Sequence, residues 1–197
     1  LAAGAVDYLI YAPDMLASEF GRELVAEAER NGIPVHPVTR DVMASVAGKD
    51  NPQGLLAVAR QHMARLDDLS AATNPWMIAL VAPQDPGNVG TILRTIDAVG
   101  ASGLLLLDGG VDPWHPSAIR AGMGAIFRIP VAAATWEQFI AWAGREAYRL
   151  CGTSAHGRGD YRDAGFYTPP VILLLGSERE GLSDEQSAAC DVLLRLP

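Results

Sequence analysis

Asn88, Arg94 and Glu178 are side chains able to orient a hydroxyl or hold a developing negative charge, and each stands in or just after a glycine-bearing turn. The first turn reads Pro83-Gln84-Asp85-Pro86-Gly87-Asn88-Val89-Gly90-Thr91-Ile92-Leu93-Arg94-Thr95. The second reads Leu174-Leu175-Gly176-Ser177-Glu178-Arg179-Glu180-Gly181-Leu182-Ser183. Gly87 and Gly90 let the backbone turn tightly and approach a ligand, while the amides that open the following helix offer an anion site. Arg94, one helical turn beyond Gly90, can carry its guanidinium back over that opening. Taken singly, each turn is also an ordinary strand-to-helix connection, with a surface arginine in one and a solvated helix entrance at Glu178 and Glu180 in the other. Neither matches the dinucleotide fingerprint G-x-G-x-x-G or a phosphate loop ending in Gly-Lys-Ser/Thr.

Regular elements must position these turns, and the spacing of apolar residues supplies them. Strands are predicted over 6–11, 33–35 and 54–59, with helices over 16–30 and 42–46, making a small α/β unit over residues 1–66. Residues 67–75, polar, small and closed by proline, have the composition of a linker. From residue 76 to 197 strands and helices alternate: strands over 76–82, 103–107, 129–132, 149–152, 171–175 and 192–196, helices over 90–99, 117–127, 135–147 and 183–190. Thr135 with Gln138, and Ser183 with Gln186, have capping-box spacing. Such alternation implies an α/β domain with a mainly parallel sheet covered by helices on both faces. Ligands bind such sheets outside the carboxyl ends of the strands, where both turns fall.

Composition excludes several classes of protein. No apolar run approaches the roughly 18 residues of a membrane span, so the partners include no membrane. The chain opens on Leu1 with no basic-then-apolar leader, as expected of a cytoplasmic protein trimmed at its start. Cys151 and Cys190 suggest neither a disulfide framework nor a zinc site, and His36, His62, His115 and His156 contain no pair spaced for metal on one helix face, so no metal is expected. The formal net charge of −8 argues against broad, charge-driven binding of nucleic acid. Of the 15 basic residues, however, only Lys49 is lysine, and arginine suits bidentate phosphate contact better. Arg120 and the Gly-rich stretch with Arg158, Tyr161 and Arg162 are the candidates for phosphate and base contact, against the alternative of solvated surface.

In this order, and about ninety residues apart, the two turns resemble the first two of three signature motifs of the SpoU-type (TrmH) branch of the SPOUT methyltransferases. That family methylates ribose 2′-hydroxyls of RNA with S-adenosylmethionine as donor. The resemblance implies a C-terminal trefoil knot as the donor site, a homodimer, and catalytic roles for Asn88, Arg94 and Glu178. It implies that Glu178 orients Arg94 or accepts a hydrogen bond from the ribose, that Asn88 fixes the arginine's direction, and that Arg94 acts either as base beside a substrate phosphate or as stabiliser of the alkoxide. It places Thr153, Gly176, Ser177, Gly181 and Leu196 around the donor, with Leu196-Pro197 opening the third motif and the chain read as part of a longer one. Ser177 departs from the family's usual asparagine. Residues 6–59 resemble, more weakly, the ribosomal-protein-like substrate-binding domain that precedes many SpoU catalytic domains. This favours 23S-type ribosomal RNA as substrate, with tRNA, a non-catalytic RNA-binding paralogue and an unrelated α/β nucleotide-binding protein as the competing readings.

Overall fold

The computed structural model describes residues 6–47 and 53–195, and the chain divides into two compact units between His62 and Met63. The first unit holds strand β1 (Val6–Tyr11), helix α1 (Glu19–Arg30), β2 (Val35–Pro37), α2 (Arg40–Ala47) and β3 (Leu55–Ala59). Its sheet has the order β2-β1-β3, with β2 parallel and β3 antiparallel to β1. α1 begins three residues later than its apolar spacing suggests, because Ser18 is the cap, its hydroxyl accepting from Gly21 N at 3.0 Å. Ile33, expected in β2, instead donates its N–H to Ala28 O and closes the end of α1. β2 therefore starts two residues further on.

In the second unit every strand pairing is parallel. It contains β4 (Trp76–Val81), α3 (Pro86–Val99), β5 (Leu104–Leu107), α4 (Pro116–Gly122), β6 (Val131–Ala134), α5 (Trp136–Arg145), β7 (Arg149–Thr153), β8 (Gly159–Asp160), β9 (Val171–Leu175), α6 (Asp184–Ala188) and β10 (Val192–Arg195). The sheet order is β6-β5-β4-β9-β7-β10-β8. Alternation along β4 sends Met77, Ala79 and Val81 to a core with Trp136, Phe139 and Trp142 of α5, and Ile78 and Leu80 to a second core with Val89, Leu93 and Ile96 of α3. Burial on both faces explains why the central strands read as unbroken apolar runs.

The polar segment 67–75 is fixed in this unit rather than hanging free. Trp142 and Tyr148 are buried aromatic rings whose N–H and O–H need acceptors. Trp142 Nε1 donates to Leu69 O at 3.2 Å and Tyr148 Oη to Asn74 O at 2.6 Å, while Asn74 Nδ2 donates to Ser102 O at 2.7 Å. Burial, and then the neighbouring Glu146, push the Tyr148 hydroxyl up to about 12, so it stays a donor.

α4 stops at Gly122 because Met123 and Gly124 both adopt left-handed conformations, leaving only a 3-10 turn at Ala125–Phe127 of the longer helix that the spacing predicts. α3, by contrast, begins four residues early, at Pro86. β8 has no counterpart in the sequence reading. β10 runs between β7 and β8, and residues 154–158 cross from one side of it to the other. The crossing is close: a Cβ on Gly157 would lie 2.7 Å from Leu193 O. A Cβ on Gly152 would meet Cys190 Sγ, which puts Cys190 on the opposite face of β7 from the adjacent Cys151. The two thiols are therefore separated by the sheet, and burial pushes both up, Cys190 to about 11.

Candidate active site

β4 and β9 are hydrogen-bonded neighbours, with Leu80 opposite Leu175, so the two turns leave the same edge of the sheet side by side. This adjacency turns a separation of about ninety residues in sequence into contact. Asn88 Nδ2 donates to Glu178 Oε1 at 2.8 Å, joining the first turn to the second.

The first turn is the opening of α3. Asp85 Oδ1 accepts from Gly87 N at 2.6 Å and from Asn88 N at 3.4 Å, and Pro86 occupies the first helical position, where its missing N–H costs nothing. Asn88 thus projects from a capped helical turn, not from a glycine loop. Gly90, expected to approach a ligand, instead approaches another helix: a Cβ there would fall 2.3 Å from Ala118 O of α4. The helix bearing Asn88 is located by that backbone-to-backbone packing.

The second turn is a loop stretched between β9 and α6. Ser177 N donates to Gly181 O at 3.0 Å, Gly181 N donates back to Ser177 O at 2.9 Å, and Glu180 N donates to Ser177 Oγ at 3.1 Å. Gly181 has φ of 71°. A Cβ on Gly176 would lie 2.2 Å from Gly181 C, so the loop folds back on itself only with glycine there. Beyond it, Ser183 and Gln186 form the expected capping box.

Two clefts flank this loop. One, of about 270 Å³, is apolar over Leu80, Val89, Ile92 and Leu175 and carries Asn88, Thr91 and Glu178 as its polar side chains. The other, of about 530 Å³, lies between residues 153–156 and residues 179–182. Of the residues singled out from sequence, Asn88, Gly176 and Glu178 line the first cleft, Thr153 and Gly181 the second. Ser177 ties the loop between them. Leu196 lies outside the described residues.

Arg94 lines neither cleft, is exposed, and its side chain has no hydrogen bond or ion pair among the described residues. The amide expected to orient it is turned to Glu178 instead. Arg120 is exposed on α4, with Nη2 donating to Ser117 Oγ at 3.3 Å. Arg158 sits exposed on the crossover and, among the described residues, lacks a partner. Arg162 is committed: it grips Asp160 at 2.6 Å and lies over the Tyr161 ring at 5.8 Å. Among the described residues no three His, Cys, Asp or Glu side chains gather as a metal site, and no helix is long and apolar enough to cross a membrane.

Gly152 escaped the sequence reading. Its absent side chain makes room for Leu182 and Cys190 behind the second turn, where a Cβ would come within 2.8 Å of either. A glycine inside an apolar strand was the available signal, since such a residue marks close approach.

A parallel sheet whose neighbouring strands deliver polar turns to one carboxyl edge, with a strand inserted beneath a crossover, defines an α/β protein that binds its ligands at that edge. The chain belongs to the SpoU rRNA Methylase family, whose pattern matches residues 75–197, and residues 10–65 match the family described as RNA 2′-O ribose methyltransferase substrate binding. It is 30% identical, over 96% of its length and 67% of the relative's, to the 23S rRNA (uridine(2479)-2′-O)-methyltransferase of Streptomyces viridochromogenes. Among solved structures it resembles an rRNA methyltransferase from Sinorhizobium meliloti, with a TM-score of 0.85 and 33% identity over 99% of this chain and 73% of that one. The AdoMet-bound rRNA methyltransferase from the same organism matches with a TM-score of 0.83 and 34% identity over 98% and 71%.

Proposed function

We propose that this chain carries the catalytic unit of an S-adenosylmethionine-dependent enzyme that methylates a ribose 2′-hydroxyl of 23S-type ribosomal RNA. The observation that carries the reading is the Asn88–Glu178 hydrogen bond at the edge of two neighbouring parallel strands, beside a second cleft of ligand size. The relative named for 23S rRNA and the match of residues 10–65 support the choice of ribosomal RNA. A homodimer and a cytoplasmic location belong to the same proposal and rest on resemblance to the family.

The cleft at the end of β7 suits the donor. Its volume of about 530 Å³ falls in the range of roughly 300–1,000 Å³ typical of small-molecule sites. Thr153, Ser154, Gly181 and Leu182 would hold the donor, and Arg179 with Glu180 offers one charge of each sign to its zwitterionic amino acid end. When bound, S-adenosylmethionine supplies a methyl group already activated on a sulfonium.

What remains for the protein is alignment and charge. Asn88 occupies one oxygen of Glu178, which leaves the other free to accept the hydrogen bond of a ribose hydroxyl and fix its direction. Arg94, held by no carboxylate among the described residues, offers a full positive charge to the developing alkoxide or to a neighbouring phosphate. Its contribution there is electrostatic. The net charge of −8 confines RNA contact to local arginines, and Arg158 on the crossover is exposed and its side chain unpaired among the described residues.

The test is isothermal titration of S-adenosylmethionine into the protein, followed by methyl transfer to ribosomal RNA by the wild type and by Arg94→Ala. Donor binding, with a kcat lowered about 10²–10³-fold in the variant and a folding stability changed by no more than about 0.5 kcal/mol, is the expected result. Absence of donor binding would favour a non-catalytic RNA-binding protein.

A further inference from the structure

The loop between the two clefts is closed by three hydrogen bonds, and Ser177 takes part in every one of them. Two are backbone bonds to Gly181 and tolerate any side chain at 177. The third, Glu180 N to Ser177 Oγ at 3.1 Å, depends on the hydroxyl. A short acceptor on the first residue of a tight loop commonly takes the N–H of a residue two or three positions on, and an asparagine carbonyl does this as well as a serine hydroxyl.

Glu178 and Arg179 are held between these bonded residues, and they face different clefts. Glu178 lines the apolar cleft and meets Asn88, whereas residues 179–182 wall the cleft at the end of β7. The loop is otherwise exposed at Glu178, Arg179 and Glu180, so side-chain packing does little to fix it. A shift of this loop therefore moves both walls together.

We infer that Ser177 is a positioning residue: its hydroxyl, by holding Glu180 N, sets the register between the carboxylate that faces Asn88 and the wall of the neighbouring cleft. An asparagine carbonyl at this position would preserve the bond. Ser177 does not itself touch substrate or donor in this assignment.

The inference rests on the proposed methyl transfer only where activity is measured, and amide exchange tests it separately. Ser177→Ala and Ser177→Asn are compared with the wild type by hydrogen exchange at the Glu180 amide, by the side-chain amide resonances of Asn88, by titration of S-adenosylmethionine, and by kcat and KM. Ser177→Ala should speed Glu180 exchange about fivefold, as expected for loss of one ordinary hydrogen bond, and shift the Asn88 resonances. It should also weaken donor binding and lower kcat by a similar factor at a temperature well below unfolding, and Ser177→Asn should restore all four. Unchanged exchange at Glu180 in Ser177→Ala would overturn the inference, as would a Ser177→Asn protein that behaves like the alanine variant. If the wild type fails to bind the donor, the proposed function falls, while the exchange and resonance results still decide the role of Ser177.

Discussion

The two turns that meet at Asn88 and Glu178 are built by different forces. The first is the capped start of a 14-residue helix, pressed against α4 at Gly90 so closely that no side chain fits. The second is a short exposed loop closed by hydrogen bonds ahead of a five-residue helix. Packing of backbone on backbone yields little, because interiors are dense and repulsion rises steeply. Hydrogen bonds at an exposed loop are each worth about 1 kcal/mol and compete with water. One side of the site is thus anchored, and the other is only tied.

Substitution at Gly90 should give the largest difference. Alanine inside a helix ordinarily stabilises by about 0.5–1 kcal/mol relative to glycine, and Gly144→Ala in α5, where nothing lies within 4 Å of the added Cβ, should follow that rule. Gly90→Ala should reverse the sign and cost about 1–3 kcal/mol in urea denaturation, because the methyl meets the Ala118 carbonyl. Equal behaviour of the two variants would show that the first turn is not anchored by packing.

A smaller loss is expected in the second turn. Gly181 has open space around its Cβ position but a φ of 71°, so Gly181→Ala should cost only about 1–2 kcal/mol, the strain of a left-handed residue. Smaller again is the link between the turns. Asn88 and Glu178 are both exposed, and a double-mutant cycle with Asn88→Ala and Glu178→Gln should return a coupling of less than about 1 kcal/mol in stability. The same cycle read in kcat/KM should show strong non-additivity if the pair acts as a unit on the ribose.

The smallest expected effect lies away from both turns, at the edge strand β8. The Arg162 guanidinium bonded to Asp160 holds that carboxyl down to about 2. A carboxyl depressed on folding contributes stability that is complete above its unfolded value of about 3.9 and is lost as pH falls through the folded value. Arg162→Gln should therefore return the Asp160 titration midpoint, followed by NMR, toward about 3.9 while leaving the Asn88–Glu178 contact unaltered. Because Asp160 already engages Arg162, this variant should weaken RNA binding less than Arg158→Ala does, a comparison to be made at one fixed salt concentration.

Much of the architecture was legible beforehand. β1 and β9 fall at the predicted residues, and the capping boxes at Thr135 and Ser183 both form, because caps and apolar runs are local signals. Element ends were less legible. Apolar spacing starts α3 only at residue 90, although Asp85 and Pro86 mark a helix entrance, and it runs one helix over residues 117–127 across the break at Met123 and Gly124. The segment 67–75 shows the same limit: its composition is that of a linker, and only the buried Trp142 and Tyr148 reveal that its carbonyls are needed.

The residue types at the site, their order, and the strands that carry them follow from the sequence alone, since each depends on a few neighbouring residues. Three things were decided only by tertiary structure: that β9 inserts beside β4 and brings Glu178 to Asn88, that Gly90 serves a helix contact rather than a ligand, and that the Ser177 hydroxyl closes its own loop. The physical reason is range. Periodicity and capping report interactions a few residues apart, whereas strand order and the clash a missing Cβ avoids depend on atoms distant along the chain.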